Sequence, residues 1–330
     1  MKAPVKAQRV RLVDVAEVCK VSKAAVVQAL NRSPETCELR PATRERIRAT
    51  AVRMGYRPDW RARVLGGGRT GTIGLLYDSI YPPMGEYPGS LMGGLARRLD
   101  QRGNNLLLVQ CHAAATWREM LAEGRVDAVA VIDRPPPGLL TGADLPVPLV
   151  LLNCAVPGAV PQVLPDDRGG AALVVARLAA LGRRRIVHLT RSGDSSHSSR
   201  LERSGGYAAA MAAAGLEPRI IDSMTAFAAL LDRADARPDA LFAYDDALAI
   251  TAMQFALGRG LRVPQDLAVV GVNNSASSAT ASPPLASLAL PEDPLGFAAA
   301  DLLLDLVAGA TPPGAPLLLP EMLIERPSMM

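Results

Sequence analysis

The sequence predicts an α/β protein in which a small all-α head precedes two α/β lobes. Three observations predict it: a helix-turn-helix pattern between Leu12 and Asn31, a change of hydrophobic period at Thr72, and a charge asymmetry that breaks at nearly the same place. The first 69 residues hold 16 Lys and Arg against 6 Asp and Glu, a net of +10, while the remainder holds 20 against 26, a net of −6. A basic module with its own apolar pattern is better explained by phosphates than by a solvated tail.

The chain has 330 residues, 49% of them hydrophobic, enough for more than one core. Cys19, Cys37, Cys111 and Cys154 form no CxxC, and His112, His188 and His197 sit at no metal-ligand spacing. Neither a metal, a cofactor nor a disulfide framework is expected. No apolar run approaches the roughly 20 residues of a membrane span, and MKAPVKAQRVR lacks the apolar segment of a signal peptide. A cytoplasmic protein without a membrane partner is therefore expected.

The head starts with a basic arm, Lys2, Lys6, Arg9 and Arg11, that has no periodicity. In LVDVAEVCKVSKAAVVQALN, Val15, Ala16, Val18 and Cys19 recur at helical spacing, Lys20-Val21-Ser22 interrupts, and a second helix follows from Lys23 to Leu30. Ser22 is its N-cap, since a hydroxyl there accepts a bond from a free amide of the first turn. Val26 and Leu30 turn inward; Lys23, Ala24, Val27 and Gln28 look outward, on a face small enough to enter a DNA major groove. After the polar loop RSPETCELRPA a third helix begins at about Pro41, with Ile47, Ala51 and Met54 toward the core and Gly55 as its left-handed cap. Tyr56-Arg57-Pro58 is extended, because the residue before proline avoids helix.

Residues 1–58 thus form the helix-turn-helix domain and 59–70 a hinge helix and linker. Asp59 to Leu65 suits one or two turns before Gly66-Gly67-Gly68, too short to be stable alone and so ordered only when docked. Leu65 on that basic helix is placed to wedge into a minor-groove step, or to pack under the linker.

Residues 71–330 form the core. The runs TIGLLY, NLLLVQ, AVAVI and PLVLLN alternate with helical segments, and the order repeats after Asp166 with GGAALVVARLAALG, IVHLT, GGYAAAMAAAGL, ALFAYDD, a helix through Met253 and LAVVGVNN. Such alternation is the signature of parallel sheets covered on both faces. Ligands of open α/β sheets lie beyond the carboxyl ends of the strands. Here those ends are Asp78-Ser79, Gln110-Cys111-His112, Asn153, Ser192 to His197, Tyr244-Asp245 and Asn273-Asn274, polar and mostly uncharged, as a hydroxylated small molecule requires. Asp245 is expected to cap the helix it precedes. Ser, His and Asp within the one loop 192–199 do not fix a base against a nucleophile, and there is no nucleophile elbow, Walker loop or GxGxxG, so no enzyme is expected.

The segments LVDVAEVCKVS, KAAVVQALN, TRERI, MGYRPDWRARVL and TIGLLYD, in that order, resemble the lactose repressor/galactose repressor (LacI/GalR) family of transcriptional regulators. The resemblance implies a core of periplasmic-binding-protein-like type I fold crossed three times by the chain, with lobe one at 71–165 and 290–320 and lobe two at 166–289. It implies a homodimer on a pseudo-palindromic double-stranded DNA operator, regulated by a small carbohydrate-like effector between the lobes. By the same resemblance Ser22 contacts phosphate, Lys23, Ala24 and Gln28 read bases, Asn31 and Tyr56 position the domain, and Ala62 and Leu65 belong to the hinge helix. Asn153, His197, Arg203 and Asn273 are the implied effector contacts, Arg203 through the motif Arg203-x-x-Gly206-Tyr207. The chain departs from the family pattern at Val27-Gln28, where Ser-Arg is usual, at Arg11 for a capping Thr, at Lys20 for a turn Gly, and at Asn273 for an Asp. Losing the arginine removes the commonest bidentate contact to guanine, so an altered operator is expected. A solute-binding protein with the same lobes is the alternative, which the basic head opposes.

Overall fold

The computed structural model describes residues 10–31, 37–56, 68–78, 86–111, 116–140, 145–191 and 197–330. The chain divides into two compact units, 1–70 and 71–330. The expected basic arm before Val10, the loop at 32–36 and the hinge residues Ala62 and Leu65 lie outside the described residues, as do Ser79, His112 and Ser192 to Ser196.

In the first unit α1 (Leu12–Cys19), α2 (Lys23–Asn31) and α3 (Pro41–Arg53) enclose a core of Val15, Ala16, Cys19, Val26, Ala29, Ile47 and Ala51. Val18 does not join it and is 55% exposed. At 100° per residue Leu12, Val15, Ala16 and Cys19 share one stripe, and Val18 falls more than 90° from its centre. Asp14 accepts from the Arg11 backbone N–H at 2.7 Å, so an acid at the third helical position supplies the cap that Arg11 cannot. Lys20 ends α1 in the left-handed region (φ 50°, ψ 49°), the conformation that a turn glycine adopts without strain. Ser22 Oγ accepts from Ala25 N at 3.1 Å, and Gly55 closes α3 at φ 70°.

The second unit contains two six-stranded sheets. Sheet one is formed by β1 (Thr72–Asp78), β2 (Asn105–Cys111), β3 (Ala128–Ile132), β4 (Leu149–Leu152), β5 (Gln162–Pro165) and β11 (Leu317–Leu319), in the order β11-β5-β4-β3-β1-β2. Sheet two is formed by β6 (Ile186–Leu189), β7 (Arg219–Ile221), β8 (Ala240–Ala243), β9 (Ala268–Val272), β10 (Ala286–Ala289) and β12 (Met322–Ile324), in the order β12-β10-β9-β8-β6-β7. All neighbours run parallel except β12, antiparallel to β10, which departs from the expectation of purely parallel sheets. The chain passes between the sheets after β5, after β10 and again between β11 and β12. Residues beyond 320, outside both lobes in the sequence reading, return to sheet two, and Met329 is buried in its core.

Helices cover both sheets. On sheet one, α4 (Glu86–Gln101) and α11 (Glu292–Val307) bury Leu91, Leu95, Leu99, Leu295 and Leu303 on one face, and α5 (Thr116–Ala122) buries Trp117 and Leu121 on the other. On sheet two, α6 (Asp167–Ala180) and α7 (Ser198–Ala213) cover one face; α8 (Met224–Leu231) and α9 (Asp246–Gly258) cover the other. The short α10 (Ala276–Thr280) precedes β10. Strands β3 and β9, covered on both sides, are buried along their whole length and show no alternation of polar and apolar residues.

Candidate functional site

Two places concentrate the sequence-predicted residues. On the head, Ser22 and Lys23 are exposed with Ala24 at the start of α2, Val27 is 41% exposed one turn on, and Gln28 is partly covered. Gln28 Nε2 donates to Glu38 Oε2 at 3.2 Å. Tyr56 is half-buried against the head core, while the side chain of Asn31 lies outside the described residues.

The second place is a cavity of about 370 Å³ at the carboxyl ends of the two sheets. Asn153, His197, Arg203 and Asn273 all line it, joined by Tyr244 and Asp245. Asn153 follows β4 at φ 54°; its Nδ2 donates to Asp133 Oδ1 at 2.7 Å, and its carbonyl oxygen lies 2.9 Å from His197 Nε2. His197 precedes α7 and its Nδ1 accepts from Ser199 N, which makes Nε2 the donor to Asn153 O. One imidazole thereby ties the end of sheet one to the first turn of a helix on sheet two. A second tie is Ala155 N donating to Ser198 Oγ at 3.2 Å.

Arg203 is 4% exposed. Its Nε donates to Asp167 Oδ1 at 2.7 Å and its Nη1 to the Tyr244 carbonyl at 2.9 Å, with the guanidinium 5.0 Å from the Tyr244 ring centre. Burial works against its charge, but the Asp167 carboxylate outweighs that and helps hold its pKa above the ordinary arginine value. The motif's other residues explain why this helix carries the arginine. A Cβ on Gly206 would lie 2.4 Å from the Arg168 carbonyl oxygen, so only glycine lets α7 approach α6 and bring Arg203 against Asp167. Tyr207, wholly buried, donates to Ile186 O at 2.7 Å and accepts from Arg219 N at 2.9 Å, fastening α7 to β6 and β7.

Sequence reasoning missed Tyr87, Asp133, Arg134, Arg191 and Ser199 in the lining. Tyr87 comes from α4, and its buried hydroxyl has no hydrogen-bond partner among the described residues. Burial, then the nearby Asp133 and Asp167 carboxylates, push that phenol well above its usual range, leaving a neutral hydroxyl facing the cavity. No period or motif marks a lone tyrosine in an otherwise ordinary helix. Asp245 caps α9 by accepting from Leu248 N at 2.8 Å, as read from the sequence, and also pairs with Arg191 at 2.6 Å. Asn273, at φ 99°, makes no side-chain hydrogen bond among the described residues.

The comparisons with known proteins agree with this layout. Residues 175–329 match a model described as a periplasmic binding protein-like domain. The HTH-type transcriptional regulator CelR of Thermobifida fusca is 31% identical over 341 residues, spanning 97% of this chain and 98% of its own. The chain belongs to the LacI/GalR family.

Among solved LacI/GalR-family structures, a CelR–cellobiose complex is 30% identical, with a TM-score of 0.67 over 97% of this chain and 100% of that one. A lac repressor dimer bound to operator and the anti-inducer ONPF is 25% identical, with a TM-score of 0.75 over 98% of this chain and 100% of that one. As a LacI/GalR-family member the protein is a DNA-binding transcriptional regulator, and the relatives it matches are regulators, not enzymes. No helix among the described residues is long and apolar enough to cross a membrane.

Proposed function

We propose that this regulator binds a pseudo-palindromic DNA operator as a homodimer, as a repressor, and that a small carbohydrate-like effector in the interlobe cavity sets its affinity. The observation that carries the reading is the cavity itself. Amides, hydroxyls and a histidine from both lobes converge there, while Arg203 and Arg191 are each matched by a carboxylate. Such a lining favours a neutral polyhydroxylated ligand over an anion, because Asp133, Asp167 and Asp245 offset Arg134, Arg191 and Arg203 around the cavity. The names of the solved relatives fit this reading: one is a cellobiose complex, and another is a dimer on operator.

In this proposal Ser22 holds phosphate and Lys23, Ala24 and Gln28 read bases; Asn31 and Tyr56 set the head's orientation, with Ala62 and Leu65 in the hinge. Asn153, His197, Arg203 and Asn273 bind the effector with Tyr87. Cavity occupancy reaches DNA through the lobes: a ligand that competes for the His197–Asn153 tie changes which lobe arrangement is favoured, and the marginal hinge helices are ordered in only one. The test is a titration of the full chain against a pool of random duplexes and then the duplex that the pool yields, with and without cellobiose and other mono- and disaccharides, at two salt concentrations. Preference over random duplex by at least about 1,000-fold is expected, as is a shift with one of the sugars. Equal binding to all duplexes overturns the proposal.

A further inference from the structure

Among the described residues, Gln28 is the one proposed base-reading residue whose side chain is held by another part of the head. Its Nε2 donates to Glu38 Oε2 at 3.2 Å, and the segment carrying Glu38 is itself fixed, since Cys37 Sγ lies 3.8 Å from the Gln28 carbonyl. Arg48 Nε on α3 donates to the next carbonyl, Ala29 O, at 3.0 Å, tying the end of α2 to α3. The two faces of a free glutamine amide are interchangeable, and a glutamine so placed can present either end to a base edge.

We propose that Glu38 is a positioning residue that fixes the Gln28 amide in one orientation and so makes Gln28 select adenine over guanine. This rests on the DNA-binding reading above. A carboxylate only accepts, so it holds the NH2 end and would repel the carbonyl end of a flipped amide. One N–H is thereby occupied; the carbonyl oxygen and the second N–H remain. Together they match the N6 amino donor and N7 acceptor of adenine, and they mismatch guanine, whose major-groove edge offers the two acceptors N7 and O6. Guanine would also place O6 against the amide oxygen. Glu38 is exposed and acidic on a module otherwise rich in Lys and Arg, so it weakens attraction to phosphates even as it sharpens the reading.

The experiment is selection from a randomised duplex pool with the full chain as wild type, Gln28→Ala and Glu38→Gln, followed by titration of the selected duplex carrying adenine or guanine at each position. The wild type is expected to require adenine at one position per half-site, favoured over guanine by about tenfold or more. Gln28→Ala removes the preference at that position alone. Glu38→Gln, which can accept or donate, lets the neighbouring amide flip and brings the adenine:guanine ratio to within about twofold, while unselected duplex is bound at least as tightly as by wild type. A merely structural role for Glu38 would lower both. The inference is overturned if the position that responds to Gln28→Ala prefers guanine, if no position responds, or if Glu38→Gln leaves the ratio unchanged. A wild type that enriches no duplex overturns the DNA-binding reading itself, and this inference with it.

Discussion

Arg203 Nε and Asp167 Oδ1 lie 2.7 Å apart with both side chains at least nine-tenths buried, so the guanidinium proposed to meet the effector is anchored on a carboxylate from the neighbouring helix. Removing one partner leaves the other charged and buried, at a cost of about 3–5 kcal/mol. Arg203→Leu is therefore expected to destabilise the core by that much, and the double variant with Asp167→Asn to recover part of the loss. Urea unfolding of the four corners of this cycle checks it. Additive losses would show that the pair is not coupled.

Gly206→Ala tests whether the motif glycine is there for helix contact. The new methyl group would sit 2.4 Å from the Arg168 carbonyl oxygen, a backbone atom that cannot swing aside. Separating α6 from α7 loosens a packed interface and displaces Arg203, so a loss of about 1–3 kcal/mol is expected together with weaker ligand binding. Gly205→Ala makes the comparison, because its nearest neighbour is the end of the flexible Arg168 side chain. Thermal melts in the absence and presence of the effector separate the two effects.

The left-handed Lys20 is an unforced cost in the head. At φ 50° a Cβ is strained by about 1–2 kcal/mol against a glycine, offset in part by the greater freedom glycine has when unfolded. Lys20→Gly is expected to stabilise the three-helix unit by up to about 1 kcal/mol, read as slower amide exchange in α1 to α3 of the full chain. Faster exchange would mean that the lysine side chain contributes a contact that outweighs the backbone term.

How much of this was legible in the sequence depends on the length of the signal. The helices around Val15, Val26 and Ile47 and the strands AVAVI and AVVGV announce themselves through period or through continuous apolar runs. Strands of three or four residues such as β7, β10, β11 and β12 contain too few positions to show any period, and β5 ends in a proline. Asn153, His197, Arg203 and Asn273, proposed to meet the effector, are legible because strand ends and a family motif mark them, and all four line one cavity. Tyr87 and Asp133 become visible only when α4 and the turn after β3 are brought opposite sheet two. Val18 shares helical spacing with Val15, Ala16 and Cys19 yet is exposed, because spacing alone admits two faces of a short helix and the packing of α2 and α3 chooses between them.

His188 gives the core an acid limb. It is wholly buried in β6, stacked on Phe242 at 4.9 Å, and its Nδ1 donates to the Phe242 carbonyl at 2.9 Å while Nε2 has no partner among the described residues. Burial lowers its pKa to about 4. Between about 4 and the unfolded value near 6.5 the unfolded chain binds the extra proton, so stability is lost as pH falls through that window. The loss at pH 5 relative to pH 8 is about 2 kcal/mol. Urea unfolding should show a loss of stability from pH 8 to pH 5 that is about 2 kcal/mol larger for wild type than for His188→Phe; equal losses would rule the imidazole out.

Glu321 works in the opposite direction. It lies 8% exposed where the chain passes from β11 to β12, and a Cβ on Gly170 would overlap its carboxyl group. Burial first, and then Asp167, push it up to about 8, so that the folded protein holds a proton that the unfolded chain has released above about 4.5. Here the native state binds more protons, and stability falls as pH rises between those two values. At pH 8 the accumulated penalty is about 4 kcal/mol, each pKa unit being worth about 1.4 kcal/mol. Glu321→Gln replaces a carboxyl that must stay neutral with an amide of the same shape that cannot ionise. It is expected to stabilise the protein by up to that amount at pH 8 and by little at pH 5, where Glu321 is already protonated in the fold. Denaturation midpoints at the two pH values decide it: equal effects at both would mean that the gain comes from packing or hydrogen bonding, and a loss at pH 8 would mean that the Glu321 carboxylate is ionised and held by Arg203.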